Sequence, residues 1–333
     1  MYKYTGNDKI SAFNVQLKGS TSTRAHYELS FPSPLPGSCE EGRTAFGEYF
    51  LPLKAGKVPL LILAHGYGDA SLAPCLTLAR LLVRHQIATL VLYLPIHSRR
   101  LPAGLAGQAL PRDPRQWFEI YRSAVMEIQR LVDWASCQEE IDPARVFVAG
   151  ISLGGMISSI AMAVDARIRA GIFIAIGGGM EELSWGGVGD ALAIGHQCTR
   201  EECRDIYRQY PTFLREVALR GWEKATPARE CFLYDPLTFA ASLKGRPVLM
   251  INAAEDEIVP RTATLAFWEA CGKPPLVWLK GKHADAYTQS ARMSGEIADF
   301  LDVPKNKTAN APASVKDRRN TLGIGGTVRR FSL

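Results

Sequence analysis

No apolar run in this 333-residue chain approaches the roughly 18 residues needed to cross a bilayer, so no membrane span is expected. The stretch from Met1 to Asp8 also lacks the apolar core of a secretory signal. A cytoplasmic location is therefore the default expectation. Cysteine is sparse and unpatterned: the seven residues, at 39, 75, 137, 198, 203, 231 and 271, are odd in number and follow no framework spacing. That excludes a disulfide scaffold and reads as reduced thiols. A metal ligand set is missing too. His196, Cys198 and Cys203 are three candidate ligands at a spacing unusual for zinc, so neither metal nor cofactor is expected. Charge of one sign is scarce outside the C-terminus. Residues 303–333 hold seven Lys or Arg against Asp317 alone, which accounts for the whole net charge of +6. The balanced body gives no electrostatic footprint for nucleic acid. The tail, basic and aperiodic, reads as disordered.

With 47% apolar and 22% charged residues, the composition is that of a globular protein able to bury a sizeable core. Val58–Ala64, Ala88–Pro95, Ala170–Gly177 and Pro247–Asn252 are continuous apolar runs, as expected of parallel strands buried on both faces. Between them lie amphipathic segments with a 3.6-residue stripe, such as Trp117, Ile120, Tyr121, Ala124 and Ile128. Asp113 and Pro114 supply that helix with a cap and a first-turn proline. Two alternating stretches, 25–31 and 44–52, read as leading edge strands. The alternation predicts a doubly wound, mostly parallel α/β sheet with ligands at its carboxyl edge. Residues 178–240 break the rhythm with a glycine loop and polar helical patterns, and read as a small helical cap inserted over that edge. The expected organisation is an extension at 1–26, one domain at 27–302 and a basic tail at 303–333.

One stretch carries the chemistry. Val146–Ala149 reads as a strand that enters Gly150-Ile151-Ser152-Leu153-Gly154 and then a helix of small and apolar residues. A Gly-x-Ser-x-Gly turn in that setting is a nucleophile elbow: the serine takes a strained conformation, and both glycines remove Cβ atoms where strand and helix crowd. Ser152 needs a base, and that base an orienting acid, from turns after later strands. Only His283 lies beyond residue 196. For the acid, Glu255-Asp256-Glu257 offers three carboxylates. Asp256 is preferred because Ile258, Val259 and Pro260 anchor the next turn, while Glu255 and Glu257 read as solvated neighbours. Asp285 is read as a helix cap. The backbone N–H groups of Leu153 and Tyr67 are the expected oxyanion donors, with Gly68 an alternative to Tyr67. His65 reads as a buried residue bracing that loop. Gly68 and Trp185 are candidate pocket residues, although Trp185 and Trp222 read equally as core of the insertion. His97-Ser98-Arg99-Arg100 reads as a solvated basic loop, or else as a contact for an anionic substrate.

With its His-Gly loop (65–66), Gly-x-Ser-x-Gly elbow, Asp-x-x-Val turn (256–259) and late histidine, the chain from about 27 to 302 resembles the α/β-hydrolase superfamily. It is similar to dienelactone-hydrolase-like and prolyl-oligopeptidase-like serine esterases. The resemblance implies a carboxylic-ester hydrolase working through an acyl-enzyme on a small-molecule ester, without a cofactor. Ser152 would be nucleophile, His283 base and then acid, and Asp256 its orienter. Serine at the elbow argues against the cysteine of true dienelactone hydrolases and the aspartate of haloalkane dehalogenases. A small peptidase, thioesterase or acyltransferase would use the same triad, and a non-catalytic binding module is the alternative from another class.

Overall fold

The computed structural model describes residues 2, 12–35, 40–53, 56–105, 113–187 and 198–302. The basic tail and His196 lie outside the described residues. Nine strands form one sheet: β1 (Asn14–Ser20), β2 (Arg24–Pro32), β3 (Thr44–Pro52), β4 (Val58–Ala64), β5 (Ala88–Leu92), β6 (Ile141–Ile151), β7 (Ala170–Ile174), β8 (Val248–Ala253) and β9 (Leu276–Leu279). Their order is β1-β2-β3-β5-β4-β6-β7-β8-β9. The first three pairings are antiparallel and the remaining five parallel. Every residue of β4, β5, β7 and β8 is buried. That is why these segments read as unbroken apolar runs: both faces are covered. One face carries α1 (Ala73–Leu82) and α11 (Ser290–Phe300). The other carries α2 (Pro114–Ser136), α3 (Leu153–Val164) and α9 (Arg261–Ala270), each face with its own buried apolar cluster.

The N-terminal boundary differs from the sequence reading. Residues 14–20, within the expected extension, form β1, and β2 starts at Arg24. Tyr2 is buried as well: its hydroxyl donates to the Leu233 carbonyl at 2.9 Å and its ring packs against Phe118, Trp222 and Phe239. Loop 97–105 departs from expectation in the same direction. The Arg100 guanidinium is fully enclosed and grips Glu127 of α2 with two bonds, at 2.7 and 2.8 Å, while Arg99 pairs with Glu28 at 3.0 Å. The loop is thus pinned to the body rather than solvated. Near the end of the domain Gln289 separates α10 (Asp285–Thr288) from α11.

Between β7 and β8 the chain forms α4 (Met180–Trp185), α5 (Arg200–Tyr207), α6 (Tyr210–Arg220), α7 (Cys231–Tyr234) and α8 (Pro236–Ala240). A single wholly buried carboxylate ties the two ends of this crossover together. Asp235 accepts the N–H groups of Gly179 and Met180 at 2.9 and 2.8 Å, that of Leu237 at 2.9 Å, and the Tyr207 hydroxyl at 3.2 Å. Four donors offset the cost of burying the carboxylate, although burial still lifts its pKa above the ordinary aspartate value.

Candidate active site

Ser152 sits at the carboxyl end of β6 with φ 54° and ψ −120°, a backbone conformation that side chains rarely adopt. The turn holds because its neighbours are glycines. A Cβ at Gly150 would overlap the Gly154 backbone, and one at Gly154 would overlap the Ala64 carbonyl of β4. The Ser152 carbonyl accepts the N–H groups of Gly155 and Met156, so α3 starts immediately after the serine. Leu153 opens that helix, and first-turn N–H groups have no intrahelical acceptor.

Asp256 and His283 meet across the ends of β8 and β9. His283 Nδ1 lies 2.8 and 3.0 Å from the two Asp256 carboxylate oxygens, and both side chains are almost wholly enclosed. Asp256 Oδ1 also accepts the N–H groups of Ile258 and Val259, at 3.0 and 2.8 Å, which fixes the carboxylate. The two loops are laced by backbone bonds from Ala254 to Leu279 and from Glu255 to Gly281. Glu257 is not a solvated neighbour: its carboxylate accepts the His283 N–H at 3.0 Å and holds the histidine loop to the acid's own turn. Asp285 does not cap a helix from outside. It lies in the first turn of α10 and accepts the Lys282 N–H at 2.7 Å, tightening the same loop.

His65 accepts the Leu94 N–H through Nε2 at 3.0 Å, and its Nδ1 lies 2.8 Å from the Gly66 carbonyl. Burial pushes its pKa down to about 3, so it is a neutral brace between β4 and the loop after β5. Tyr287 is a site residue that the sequence reading missed. Its hydroxyl occupies the niche left by the absent side chain of Gly66 and lies beside Ser152. Burial lifts this phenol well above 10, and the Ser152 hydroxyl works partly against that rise. Among the described residues no hydrogen bond joins Ser152 to His283. The spacing of His283 and Tyr287, four residues apart where the loop enters a short helix, was the available signal.

A cleft of about 560 Å³, counting its open mouth, adjoins Ser152 and Leu153. One wall is aromatic: Tyr67, Trp117, Tyr121 and Tyr234. Neighbouring rings along it lie 5.9, 6.3 and 5.1 Å apart. Met156 of α3, Met180 and Leu183 of the insertion, and Ile258 and Val259 of the acid turn complete it. The insertion therefore does shape the cleft, but Gly68 and Trp185 do not line it. Trp185 and Trp222 pack against the large core on the α2 and α3 face of the sheet, not against a separate small core of the insertion. Trp117 and Tyr121 were legible only as a buried stripe. Their place at the start of α2, which follows the carboxyl end of β5, is what brings them to the cleft. Among the described residues no cluster of three His, Cys, Asp or Glu could hold a metal ion. Nor is any helix among them long and apolar enough to cross a membrane.

A model of the alpha/beta hydrolase domain containing 18 family matches residues 9–176, half of the chain. The chain belongs to this family. The matched stretch runs from just before β1 to just past β7, and so includes the elbow. No curated protein sequence matches the chain of this family member. Solved structures show the fold at low identity. A cold-adapted esterase from an Arctic intertidal metagenomic library is 19% identical with a TM-score of 0.55, over 90% of this chain and 98% of that one. Acetyl xylan esterase 1 from Thermoanaerobacterium is 19% identical with a TM-score of 0.57, over 87% of each chain. A hypothetical protein from Pseudomonas aeruginosa, at 17% identity, gives 0.58 over 87% of this chain and 99% of that one. The chain thus has the α/β-hydrolase fold, with an antiparallel edge on a parallel sheet.

Proposed function

We propose that this family member is a serine hydrolase that cleaves carboxylic esters through an acyl-enzyme. The observation that carries the reading is the Asp256 carboxylate gripping His283 Nδ1 at 2.8 Å, on the turns next to a serine at a strained elbow. A buried carboxylate on Nδ1 fixes the imidazole tautomer, leaves Nε2 as the base, and favours the imidazolium that forms in the transition state. In the proposed sequence Ser152 Oγ attacks the ester carbonyl carbon as its proton passes to His283 Nε2. The negative charge on the former carbonyl oxygen is met by the N–H groups of Leu153 and Tyr67. The intermediate collapses, the alcohol leaves with the proton from His283, and a water then repeats the two steps to release the acid. Since Ser152 lies beside Tyr287 and is not bonded to His283, the sequence starts with rotation of the serine hydroxyl toward the imidazole. The esterases of similar fold are consistent with an ester as substrate.

The test is hydrolysis of a short and a long p-nitrophenyl acyl ester by the wild type and by Ser152→Ala. A burst of one p-nitrophenol per chain and turnover that vanishes in the variant are expected. Equal rates in the two proteins would sink the reading.

A further inference from the structure

The turn that supplies the base carries a second polar group to the serine. His283 and Tyr287 share a short segment stitched by backbone bonds, from Ala286 to the His283 carbonyl at 3.2 Å and from Tyr287 to the Ala284 carbonyl at 3.0 Å. The Gln289 amide closes the segment on the Lys280 carbonyl at 3.0 Å. The two rings are thereby held with centroids 5.9 Å apart. From this platform the phenol reaches two other elements. Its hydroxyl fills the niche over Gly66, where a Cβ would overlap the phenol oxygen, and it pairs with the Ser152 hydroxyl at the elbow. Gly66 directly precedes Tyr67, and Ser152 directly precedes Leu153, the two residues whose N–H groups are the expected oxyanion donors. The phenol oxygen thus sits against the residue before each donor. Burial keeps it protonated, so it gives a hydrogen bond without giving up its proton.

We infer that Tyr287 is a catalytic residue, a third oxyanion donor whose hydroxyl bonds the serine at rest and the former carbonyl oxygen in the transition state. The inference rests on the serine-esterase reading and adds a role to it. When the Ser152 hydroxyl rotates to His283 and Oγ bonds to the carbonyl carbon, the phenol loses its resting partner. At that moment the carbonyl oxygen, attached to the same carbon as Oγ, gains the negative charge. The phenol O–H turns to it and stays intact, while the serine proton goes to His283 alone. A hydrogen bond to a charged oxygen is stronger than one to a neutral hydroxyl, so the exchange favours the transition state over the resting complex. The glycine at 66 is then a requirement of the chemistry as well as of the turn.

The experiment compares the wild type with Tyr287→Phe, which removes one oxygen and keeps the ring. On a p-nitrophenyl ester kcat/KM should fall about 10²-fold, the effect of losing one preorganised donor. The decisive readout is inhibition by a trifluoromethyl ketone, whose carbonyl carbon takes up Ser152 Oγ to form an oxyanion, against binding of the methyl ketone of the same chain, which stays trigonal. In Tyr287→Phe the trifluoromethyl ketone should weaken on the order of 10²-fold and the methyl ketone by less than about twofold. Equal weakening of both ketones would make Tyr287 a wall of the cleft, and a faster variant would make it a latch on the serine. Either result overturns the inference. Failure of the esterase reading has a different signature, turnover that survives Ser152→Ala, and would take this inference with it. If Ser152→Ala abolishes turnover while Tyr287→Phe matches the wild type in rate and in trifluoromethyl ketone inhibition, the serine mechanism stands and the third donor falls. Should Tyr287→Phe not fold, replacement of Tyr287 by 3-fluorotyrosine, a more acidic phenol of nearly the same size, decides. Tighter trifluoromethyl ketone inhibition with unchanged methyl ketone binding supports the donor, and no change in either overturns it.

Discussion

The Tyr287 hydroxyl stands where a side chain at residue 66 would have to be. This pairing links the loop after β4 to the loop after β9, beside Ser152. Gly66→Ala should therefore force the phenol out, destabilise the protein by about 1–3 kcal/mol and lower turnover. Tyr287→Phe in that background should recover part of the stability, since the nearest remaining ring atom would lie 3.0 Å from the new Cβ. Thermal melts of the two single variants and the double variant test this. Strictly additive effects would show that the two residues do not compete for the niche.

Asp256→Asn should leave the fold intact and lower kcat by a factor on the order of 10³–10⁴, because an amide no longer enforces the productive imidazole tautomer. The readout is kcat alongside far-UV circular dichroism. A loss of tenfold or less would assign the orienting role to another group.

Arg100 and Glu127 form a fully enclosed ion pair, to which the Ser33 hydroxyl donates at 2.6 Å. Glu127→Ala should cost about 3–5 kcal/mol, because it leaves a guanidinium without its counterion in the interior. The double change Arg100→Met with Glu127→Leu should cost much less than the sum of the single changes. Urea denaturation of the three variants measures the coupling, and simple additivity would contradict it.

His65 contributes an acid-sensitive element. Its folded pKa, about 3, lies below the ordinary 6.5, so between these values the unfolded chain binds more protons than the folded one. Stability from this residue is complete above pH 6.5 and is lost progressively as the pH falls toward about 3. His65→Gln, which keeps an acceptor for the Leu94 N–H, should flatten the pH dependence across this window by a few kcal/mol. Unfolding free energies at several pH values, compared with wild type, decide the matter. Parallel curves would remove His65 from the acid response.

The parallel strands were legible because burial on both faces leaves a continuous apolar run that competing structures cannot imitate. Elbow and triad candidates were legible because the turn needs particular glycines and the histidine had few rivals. β1 escaped notice, although Val15 and Leu17 alternate with Asn14, Gln16 and Lys18, because a mostly exposed edge strand carries so little apolar signal. Arg100 was misread for the opposite reason: charge normally marks solvent, and only the fold brings Glu127 to neutralise it. Trp117 and Tyr121 read as the buried stripe of a helix, and in part they are core. That a core aromatic also faces a cleft depends on which helix ends converge at the sheet edge, and local periodicity does not encode that.

The four donors gathered on Asp235 close the β7–β8 crossover at its base. Met180, Leu183 and Tyr234, the crossover's share of the cleft wall, all lie within five residues of this knot or of the backbone it grips. Closing a loop at its base isolates what lies beyond, since lengthening a loop adds entropy only slowly. Tyr207 ties the end of α5 to the knot, and Tyr210 and Phe213 seat the start of α6 on Phe232, whereas the exposed last turn of α6, around Leu219, can be altered while the cleft keeps its shape. The crossover is in this sense modular: its root belongs to the chemistry, and its crown is open to experiment.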